Sequence, residues 1–475
     1  MVKKNEQLTL EITGYAFEGK GIAKIPTPEG EQFVVFVQNS YPGDTVECLI
    51  TKKKKNYAEG RVTGIVTPSP FRVQPVCRYF RVCGGCKQQD LLYDRQLHYK
   101  EAQTLESFQH IGGFSEIAVE PILRSASEFY YRNKMEFSFS SRRWLFAGEM
   151  DNGEIQLNPF ALGLHIPGVF DKVVDIEECF LQSKFSNGVL NATREFFLKK
   201  DQQAYTIKNR EGLLRNLVIR ESASEKDKMV NLVTSREEDA LMKEYTAFLL
   251  ERFPEITTIV NNINLKPALV AVGDYEIVYH GSGQISDRIG NNLYHISANS
   301  FFQTNTRQAT HLYQTALDFA ELRRDEVVYD LYCGAGTIAI FFAPFCKSVY
   351  GFETVASSVK DAGTNTATNE VTNARFFAAD LNNSFLPVCE TESIPKPDLL
   401  IADPPRSGMH PGTVQDILTL RPSKLVYISC NPATQARDCK MLAEGGYTLQ
   451  KIRPVDMFPQ TWHIENVALL TLNQA

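Results

Sequence analysis

The pattern of apolar and polar positions predicts a row of short strands in the N-terminal part of the chain. Residues 8–13 alternate apolar and polar side chains, as a half-buried strand does, and the runs 33–37, 46–50 and 60–66 are further strand candidates. Glycines and the turn signal Pro42–Asp44 separate them. So many short strands in so short a segment predict a small, closed, OB-like β-barrel, because closure removes exposed sheet edges.

The middle of the chain has a mixed pattern. A proline-containing linker, Thr67–Pro70, precedes a cysteine-rich turn at 77–86. A predicted helix then runs from near Asp90 to the glycine pair 112–113, which suits a helix end. Residues 124–272 alternate predicted strands and loops. We expect a central α+β region here.

The C-terminal part of the chain predicts a parallel α/β fold. Residues 306–322 place apolar side chains on one helical face. From Val327 onwards short apolar strands alternate with helical stretches, which is the pattern of a doubly wound, Rossmann-like sheet. We therefore expect three domains, at residues 1–68, 69–272 and 273–475.

The composition is that of a globular protein and argues against a membrane-spanning, a secreted or a disulfide-rich protein. The chain has 475 residues, of which 43% are hydrophobic and 22% charged. No apolar run approaches the ~20 residues that span a bilayer, and the start has no apolar signal core, so we expect a cytoplasmic protein without a membrane partner. Ten cysteines are too few for a disulfide scaffold, so a cysteine cluster would bind metal or act in catalysis.

Charge alone gives no sign of a nucleic-acid partner, because the net charge is −6 at pH 7. Local patches rather than net charge make phosphate contacts, however. The run Lys52–Lys55 follows a predicted barrel strand. It could be an ordinary solvated loop, but small barrels with basic loops also bind oligonucleotides, and both interpretations stay open.

A glycine-rich turn follows the buried strand at 327–331 and predicts a ligand site, because glycines let the backbone approach a ligand closely. Two later strands end in Glu353 and Asp380, which would accept hydrogen bonds from ribose hydroxyls and an adenine amino group. Asp330, at the turn itself, would repel phosphate but suits the cationic amino-acid part of S-adenosylmethionine. The three-glycine fingerprint of a dinucleotide site is missing. We predict an S-adenosylmethionine site.

Two more strand ends should face the same sheet edge. One carries Asp403 before two prolines, and the other carries Cys430 just before a helix that opens at Pro432. A thiol at a helix N-terminus should have a lowered pKa. A single cysteine at a strand end is more often a small buried apolar residue, but its place beside a cofactor pocket favours a nucleophile.

A thiolate in this position suits methyl transfer to carbon 5 of uracil, which is a poor nucleophile. Addition of the Cys430 thiolate to carbon 6 gives an enolate that can attack a methyl sulfonium. A base must then remove the carbon-5 proton, and Glu465, in the segment His463–Asn466, is the candidate. Asp403 would hydrogen-bond the uracil edge.

The cysteine-rich turn is a candidate metal site. Cys77, Cys83 and Cys86 are spaced C-x5-C-x2-C, with two glycines that allow a tight loop. A fourth ligand would come from elsewhere, and Cys179 is the best candidate. Four thiolates suit either zinc or an iron–sulfur cluster, and the spacing does not separate the two. Unpaired structural thiols are the plain alternative.

Four motifs in order along the chain resemble those of the RNA 5-methyluridine methyltransferase family. They are Asp330–Gly334 (DLYCG), Asp403–Arg406 (DPPR), Ser429–Pro432 (SCNP) and His463–Asn466 (HIEN). The resemblance covers nearly the whole chain, and the N-terminal barrel resembles the TRAM RNA-binding domain. It implies a class I S-adenosylmethionine-dependent methyltransferase that acts on RNA.

The resemblance also implies roles for single residues. Cys430 is then the nucleophile and Glu465 the proton acceptor. The cofactor contacts would come from Gln303, Tyr332, Thr337, Glu353, Asp380 and Asp403. The ligands of a four-iron, four-sulfur (4Fe-4S) cluster would be Cys77, Cys83, Cys86 and Cys179.

The resemblance leaves more than one substrate and more than one function open. Members that carry both a TRAM barrel and the cluster cysteines resemble those acting on 23S ribosomal RNA, so we expect that substrate here. Members acting on the transfer RNA T-loop usually lack the barrel and the cluster cysteines. We also expect a monomer. An exocyclic-amine methyltransferase would need an aromatic residue where Arg406 stands and has no use for Cys430. A non-catalytic RNA-binding or assembly factor would not need Asp403, Cys430 and Glu465 together.

Overall fold

The computed structural model describes residues 2–27, 30–146, 149, 159–268 and 270–473. These residues form three large sheets and a two-stranded hairpin. Within them, no helix combines the length and the apolar character needed to cross a bilayer.

The first sheet has six strands in the order β1-β5-β6-β4-β3-β2. Its strands are β1 (Gln7–Glu11), β2 (Gly14–Ala16), β3 (Lys20–Pro26), β4 (Gln32–Gln38), β5 (Thr45–Lys53) and β6 (Tyr57–Thr67). Alternate residues such as Val35, Val37 and Cys48 point into its own small core. Strands β1 and β2 are two halves of one bent segment: β1 pairs with β5 and β2 pairs with β3. Between them, the Ile12 N–H donates to Asp44 O and the Thr13 N–H donates to Ile22 O, both at 2.9 Å. This segment therefore closes the sheet into the small barrel that the sequence predicted.

A long helix connects this sheet to the rest of the molecule. Helix α1 (Tyr93–Ser107) continues as a π-helical turn, Phe108–Gly112, and stops at Gly113, whose φ angle is 76°. Glycine adopts this left-handed conformation without steric cost, which confirms the predicted helix end.

The second sheet has seven strands in the order β10-β9-β8-β11-β12-β13-β14. They are β8 (Lys134–Ser140), β9 (Ala161–Ile166), β10 (Val169–Asp175), β11 (Leu214–Glu221), β12 (Lys228–Thr234), β13 (Thr258–Ile263) and β14 (Tyr275–His280). Two helices, α2 (Lys184–Lys199) and α3 (Asp239–Arg252), share an apolar core with the sheet. The sequence analysis predicted only strands and loops in this region and missed both helices.

The third sheet has eight strands in the order β19-β18-β17-β20-β21-β23-β22-β7. Its elements, with the hairpin β15–β16 and helix α4 before them, are β7 (Ala118–Val119), β15 (Gln284–Ile289), β16 (Asn292–Ser297), α4 (Thr306–Ala320), β17 (Val327–Leu331), α5 (Thr337–Phe342), the 3-10 turn Ala343–Phe345, β18 (Ser348–Glu353), α6 (Ala356–Thr368), β19 (Ala374–Ala378), α7 (Leu386–Thr391), β20 (Leu399–Ala402), α8 (Pro411–Leu420), β21 (Lys424–Ser429), α9 (Pro432–Glu444), β22 (Tyr447–Val455) and β23 (Glu465–Leu472).

Strands β17 to β21 are parallel, as the sequence pattern predicted, and β23 runs antiparallel to β21. An apolar core lies on each face of the sheet. The strand order reverses beside β17, so the carboxyl ends of β17 and β20 form the crevice where doubly wound folds bind ligands.

Candidate active site

The turn after β17 leaves room for a ligand. Tyr332, Gly334 and Gly336 have positive φ angles of 64°, 53° and 79°. A Cβ added at Gly334 would meet nothing within 4 Å, whereas one at Gly336 would collide with Phe376. The Gly334 N–H donates to Glu353 Oε2 at 3.1 Å. The turn therefore places the acid that ends β18 beside open space.

Asp330 is a buried acid with one unpartnered oxygen. Its Oδ2 accepts from the Ala339 N–H at 3.0 Å, and its Oδ1 has no hydrogen-bond partner among the described residues. Burial raises the pKa of Asp330 well above its usual value, and the nearby Asp403 and Glu353 carboxyls act in the same direction. A cationic ligand would relieve this repulsion. The pocket therefore fits the sulfonium and ammonium groups of S-adenosylmethionine.

The other predicted cofactor contacts lie around the same crevice. Tyr313 Oη lies 2.9 Å from Thr337 Oγ1. Burial raises the pKa of Tyr313, and hydrogen bonds to Thr337 and Gln303 partly offset that rise. The Gln303 carbonyl accepts from Asn133 Nδ2 at 2.9 Å. Asp380 follows β19, and the Asn382 N–H lowers the pKa of its carboxyl. Gln303 and Thr337 therefore meet at one tyrosine, while Asp380 stands at the next strand end.

The three predicted catalytic residues come from three neighbouring strands. Asp403 follows β20, Cys430 follows β21 and Glu465 opens the antiparallel β23. Both carboxyls are close enough to Cys430 to raise the pKa of its thiol. The structure therefore brings the three side chains together at one sheet edge, beside the crevice at β17.

The predicted lowering of the Cys430 pKa is wrong for this structure. Helix α9 does begin at Pro432, with Asn431 as its cap. Burial nevertheless raises the pKa of the Cys430 thiol to about 11, and the Glu465 and Asp403 charges add to the effect. Loss of hydration and two nearby carboxyls outweigh the helix dipole.

Arg406 is a functional candidate that the sequence analysis did not identify. Its guanidinium hydrogen-bonds the Cys430 thiol and lowers its pKa, partly offsetting burial. Its Nη2 lies 3.0 Å from His463 Nδ1. Burial first, and then the Arg406 charge, lower the pKa of His463 to about 3, so this neutral ring accepts the hydrogen bond. The signal was a cation three residues after Asp403, which we considered only as a missing aromatic residue.

Glu465 and Asp403 are two buried carboxyls without hydrogen-bond donors among the residues that the structure describes. Burial raises the pKa of Asp403 to about 7. Burial, followed by the Asp403 charge, raises the pKa of Glu465 well above its usual value. No side chain or N–H group in the described part of the chain donates a hydrogen bond to either carboxyl. Burial therefore favours the protonated form of both carboxyls, while the Arg406 charge acts in the opposite direction on Glu465.

The loop that precedes Glu465 is held from several directions. We call residues 456–461 the β22–β23 loop. Its carbonyl acceptors and their donors are Met457 O with Asn305 Nδ2 (3.0 Å), Phe458 O with Lys100 Nζ (3.1 Å), Pro459 O with Tyr131 Oη (3.0 Å), and Gln460 O with the N–H groups of Lys87 (2.8 Å) and Gln88 (3.0 Å). Asp456, at the loop start, accepts from Lys100 Nζ at 2.6 Å and Tyr93 Oη at 2.8 Å.

The four cysteines of the predicted metal site are neighbours. Burial and then the other three thiols raise the pKa of Cys86 to about 12. The Gly85 N–H donates to Cys83 Sγ at 3.3 Å, and N–H···S bonds are common around iron–sulfur clusters. The donor set fits a four-thiolate site in its chemistry. Among the described residues, however, no three His, Cys, Asp or Glu side chains are arranged to hold a metal ion, so the structure does not show the predicted cluster.

A doubly wound sheet with this glycine turn and acids at successive strand ends defines a class of S-adenosylmethionine-dependent methyltransferases. A family model described as tRNA (Uracil-5-)-methyltransferase matches residues 280–473, and a TRAM domain model matches residues 2–63. Two relatives described as uncharacterized RNA methyltransferases are each 42% identical over 98% of this chain: one from Chlorobaculum tepidum, covered over 96% of its length, and one from Porphyromonas gingivalis, covered completely. The chain belongs to the S-adenosylmethionine-dependent RNA uracil-5 methyltransferase family.

A solved structure is similar over the same length. It is a Pyrococcus abyssi tRNA (uracil-54, C5)-methyltransferase in complex with S-adenosyl-L-homocysteine, with 29% identity, a TM-score of 0.73, and coverage of 98% of this chain and 100% of that one. These similarities confirm the TRAM domain, the methyltransferase fold and the RNA methyltransferase class predicted from the sequence. The family model favours a uracil-5 methyltransferase over an exocyclic-amine methyltransferase.

Proposed function

We propose that this chain methylates carbon 5 of a uridine in 23S ribosomal RNA through a covalent adduct with Cys430. The observation that carries the proposal is the convergence of Cys430, Asp403 and Glu465 on one sheet edge beside the crevice at β17. We further propose that the chain has a TRAM domain at residues 1–68, a central domain at 69–272 and a methyltransferase domain at 273–475.

Bound S-adenosylmethionine supplies the methyl group as an electrophilic carbon. The side chains proposed to hold it are Gln303, Tyr332, Thr337, Glu353, Asp380 and Asp403. Asp330, with its free oxygen, adds negative charge near the place of the cation. The target uridine must leave its stack to reach Cys430. Phe301, which is 75% exposed and lies two residues before Gln303, is suited to fill the gap.

In the first step the Cys430 thiol gives its proton to the Asp403–Glu465 pair, from which it passes to solvent. The sulfur then bonds to carbon 6 of uracil, and the electrons of the 5,6 double bond move to oxygen 4. Arg406 stabilises the thiolate. Asp403 in its protonated form donates a hydrogen bond to a uracil carbonyl.

In the second step the enolate electrons would form the bond from carbon 5 to the methyl group while the methyl–sulfonium bond breaks and its electron pair stays on the departing thioether sulfur. Carbon 5 then carries both methyl and hydrogen. The Glu465 carboxylate removes that hydrogen as a proton, because a raised pKa makes it a stronger base. The electrons re-form the 5,6 double bond, the carbon–sulfur bond breaks, and the Cys430 thiolate is regenerated. One proton is released per methyl group transferred.

Uridine in the T-loop of transfer RNA is the second candidate substrate. The observation in its favour is the similarity to the Pyrococcus abyssi tRNA enzyme over nearly the whole chain. Mapping of 5-methyluridine in total RNA from a strain lacking this gene separates the two. Loss of the modification from 23S ribosomal RNA supports the proposal, and loss from transfer RNA alone replaces it.

The covalent step has its own test. RNA that carries 5-fluorouridine at the mapped position should form a gel-stable adduct with the wild-type protein, because fluorine at carbon 5 leaves no proton for Glu465 to remove. Cys430→Ala should form none. Cys439→Ala, which changes a fully buried cysteine of α9, is the matched control and should trap normally. Equal trapping by Cys430→Ala would refute the nucleophile.

We also propose that Cys77, Cys83, Cys86 and Cys179 hold a 4Fe-4S cluster. A single zinc ion would need thiolates only about 3.8 Å apart, since zinc–sulfur bonds are about 2.3 Å in a tetrahedron, whereas a cluster spreads its ligands more widely. Anaerobically purified protein should be brown, with about four irons per chain. Cys179→Ala should bleach it and Cys346→Ala should not. Stoichiometric zinc without visible absorbance would overturn the assignment.

A further inference from the structure

Two aromatic side chains meet where the first sheet touches the active-site entrance. The ring centroids of Phe17 and Trp462 are 6.2 Å apart in an edge-on arrangement, and Trp462 is 4.1 Å from the ring of His463. A Cβ at Gly19 would lie 3.1 Å from Trp462, so the turn Ala16–Gly19 packs closely on the indole. Phe17 and Trp462 are nevertheless both only partly buried.

Positive charges that have no described carboxylate partner lie near His463, whose ring contacts Trp462. Arg406 Nη2 lies 3.0 Å from His463 Nδ1, and the Lys87 N–H donates to Gln460 O at 2.8 Å. Arg132 follows Tyr131, whose Oη donates to Pro459 O at 3.0 Å. In addition to burial, the charges of all three lower the pKa of His463. None of the three has a carboxylate within ion-pair distance in the described parts of the chain. Arg72 and Arg81 differ from these three cations, because each forms an ion pair with Asp90. Cations left without partners at the entrance of a site are suited to phosphate groups.

We infer that Phe17 and Trp462 form a stacking shelf for the base of a nucleotide that flanks the reactive uridine, while Arg132 and Lys87 contact its phosphates. Aromatic rings beside a cationic groove are the usual way to hold a single-stranded nucleotide, because every base has a π-face. His463 links the shelf to Arg406, so the shelf adjoins the Cys430 thiol. The inference rests on the proposed function, since it assigns a subsite of the same RNA site.

The rival interpretation is that Trp462 only attaches the first sheet to the loop before Glu465. The two roles predict different responses to RNA. Stacking of a base on the indole quenches tryptophan fluorescence, whereas a purely structural contact leaves it unchanged on binding. The chain has only two tryptophans, Trp144 and Trp462, which makes this difference measurable. Trp144 pairs with Lys172 in the second sheet.

The experiment uses full-length Cys430→Ala/Trp144→Phe protein, in which Trp462 is the only tryptophan, titrated at low salt with a ten-residue oligouridylate. The shelf predicts saturable quenching that tracks RNA binding measured by filter retention. Inorganic polyphosphate, which offers charge without bases, should bind without quenching. Cys430→Ala/Trp462→Phe, which reports only Trp144, should show none.

Affinity supplies a second readout. Trp462→Leu should weaken oligouridylate binding roughly 5- to 150-fold, the change that corresponds to about 1–3 kcal/mol of stacking per base. Trp462→Phe should retain most of the affinity, because it keeps an aromatic face. A structural contact would instead lower the melting temperature of Trp462→Leu and leave its affinity unchanged.

Absence of quenching while RNA is bound, equal quenching by polyphosphate, or no binding of the oligouridylate at all would each overturn the shelf. The measurement uses a protein without the proposed nucleophile and no S-adenosylmethionine. Failure of methylation would therefore count against the proposed function and leave the shelf standing, and failure of quenching would do the reverse.

Discussion

Asp456 and the pair Asp403–Glu465 are buried carboxyls at the same end of the third sheet, yet their surroundings differ. Asp456 lies against Lys100, an ion pair in which both side chains are almost fully buried, and also accepts from Tyr93. Asp403 and Glu465 accept no hydrogen bond from the described residues, and burial raises the pKa of both. One carboxyl is satisfied by the protein, and the other two are not.

The difference separates structural from reactive charge. A buried charge is stable only when a partner offsets its lost hydration. Lys100 and Tyr93 provide that offset for Asp456, which anchors the β22–β23 loop. Asp403 and Glu465 keep their lone pairs free for substrate, at a cost in stability. The comparison can be tested by removing each kind of group in turn.

The largest effect is expected for Glu465→Gln. Loss of the base should lower methyl transfer about 10²–10⁴-fold, and adducts with unmodified RNA should accumulate, because the carbon-5 proton stays in place. Stability should be unchanged or increased, since an unpartnered buried carboxyl is removed. Single-turnover assays, denaturing gels and urea unfolding measure the three quantities. A strongly destabilised or fully active Glu465→Gln protein would contradict the comparison.

Lys100→Met should show the opposite behaviour. Removing one partner of a buried pair leaves Asp456 unneutralised and should lower the free energy of unfolding by about 3–5 kcal/mol. The double variant Lys100→Met/Asp456→Leu removes both charges and should recover most of that loss. Urea unfolding compares the two proteins. If the double variant is as unstable as the single one, packing rather than charge holds the loop.

Asp403 should make stability depend on pH. Its folded pKa of about 7 lies above the unfolded value of about 3.9, so its protonated form is favoured in the folded state. Its contribution to the free energy of unfolding is therefore intact below pH 4 and is lost as pH rises towards 7. The difference in free energy of unfolding between Asp403→Asn and wild type should therefore grow by on the order of 2 kcal/mol, in favour of the variant, from pH 5 to pH 8. The exposed Asp94→Asn is the control and should show no such gain.

The smallest effect is expected for Arg406→Gln. Loss of the guanidinium should raise the pKa of Cys430 further, because Arg406 is the group that lowers it. A rise of one pKa unit would slow alkylation of Cys430 by iodoacetamide about tenfold below that pKa. Mass spectrometry of the Cys430 peptide follows the reaction. Arg437→Gln, which changes an arginine paired with Asp438, should leave the rate unchanged.

Features carried by neighbouring residues were predictable from the sequence. The strand ends with Asp403 and Cys430 and the helix start at Pro432 follow from short apolar runs and proline. Helix α2 was also accessible, because Val189, Thr193 and Phe196 share one buried face after a serine cap, but we did not recognise it. The Lys100–Asp456 pair was not accessible, since 356 residues separate its partners. The raised pKa of Cys430 depends on burial and on two other strands, which no local pattern encodes.

The β22–β23 loop takes its hydrogen-bond donors from residues made much earlier in translation, including Lys87, Lys100 and Tyr131. The ribosome therefore completes these donors long before the segment that they hold. A fragment that keeps only the α/β part of the chain would retain Cys430 and Glu465. It would leave the carbonyls of Pro459 and Gln460 without their donors and would remove Lys100 and Tyr93 from Asp456. We therefore expect such a fragment to hold the segment before Glu465 less firmly than the full chain does.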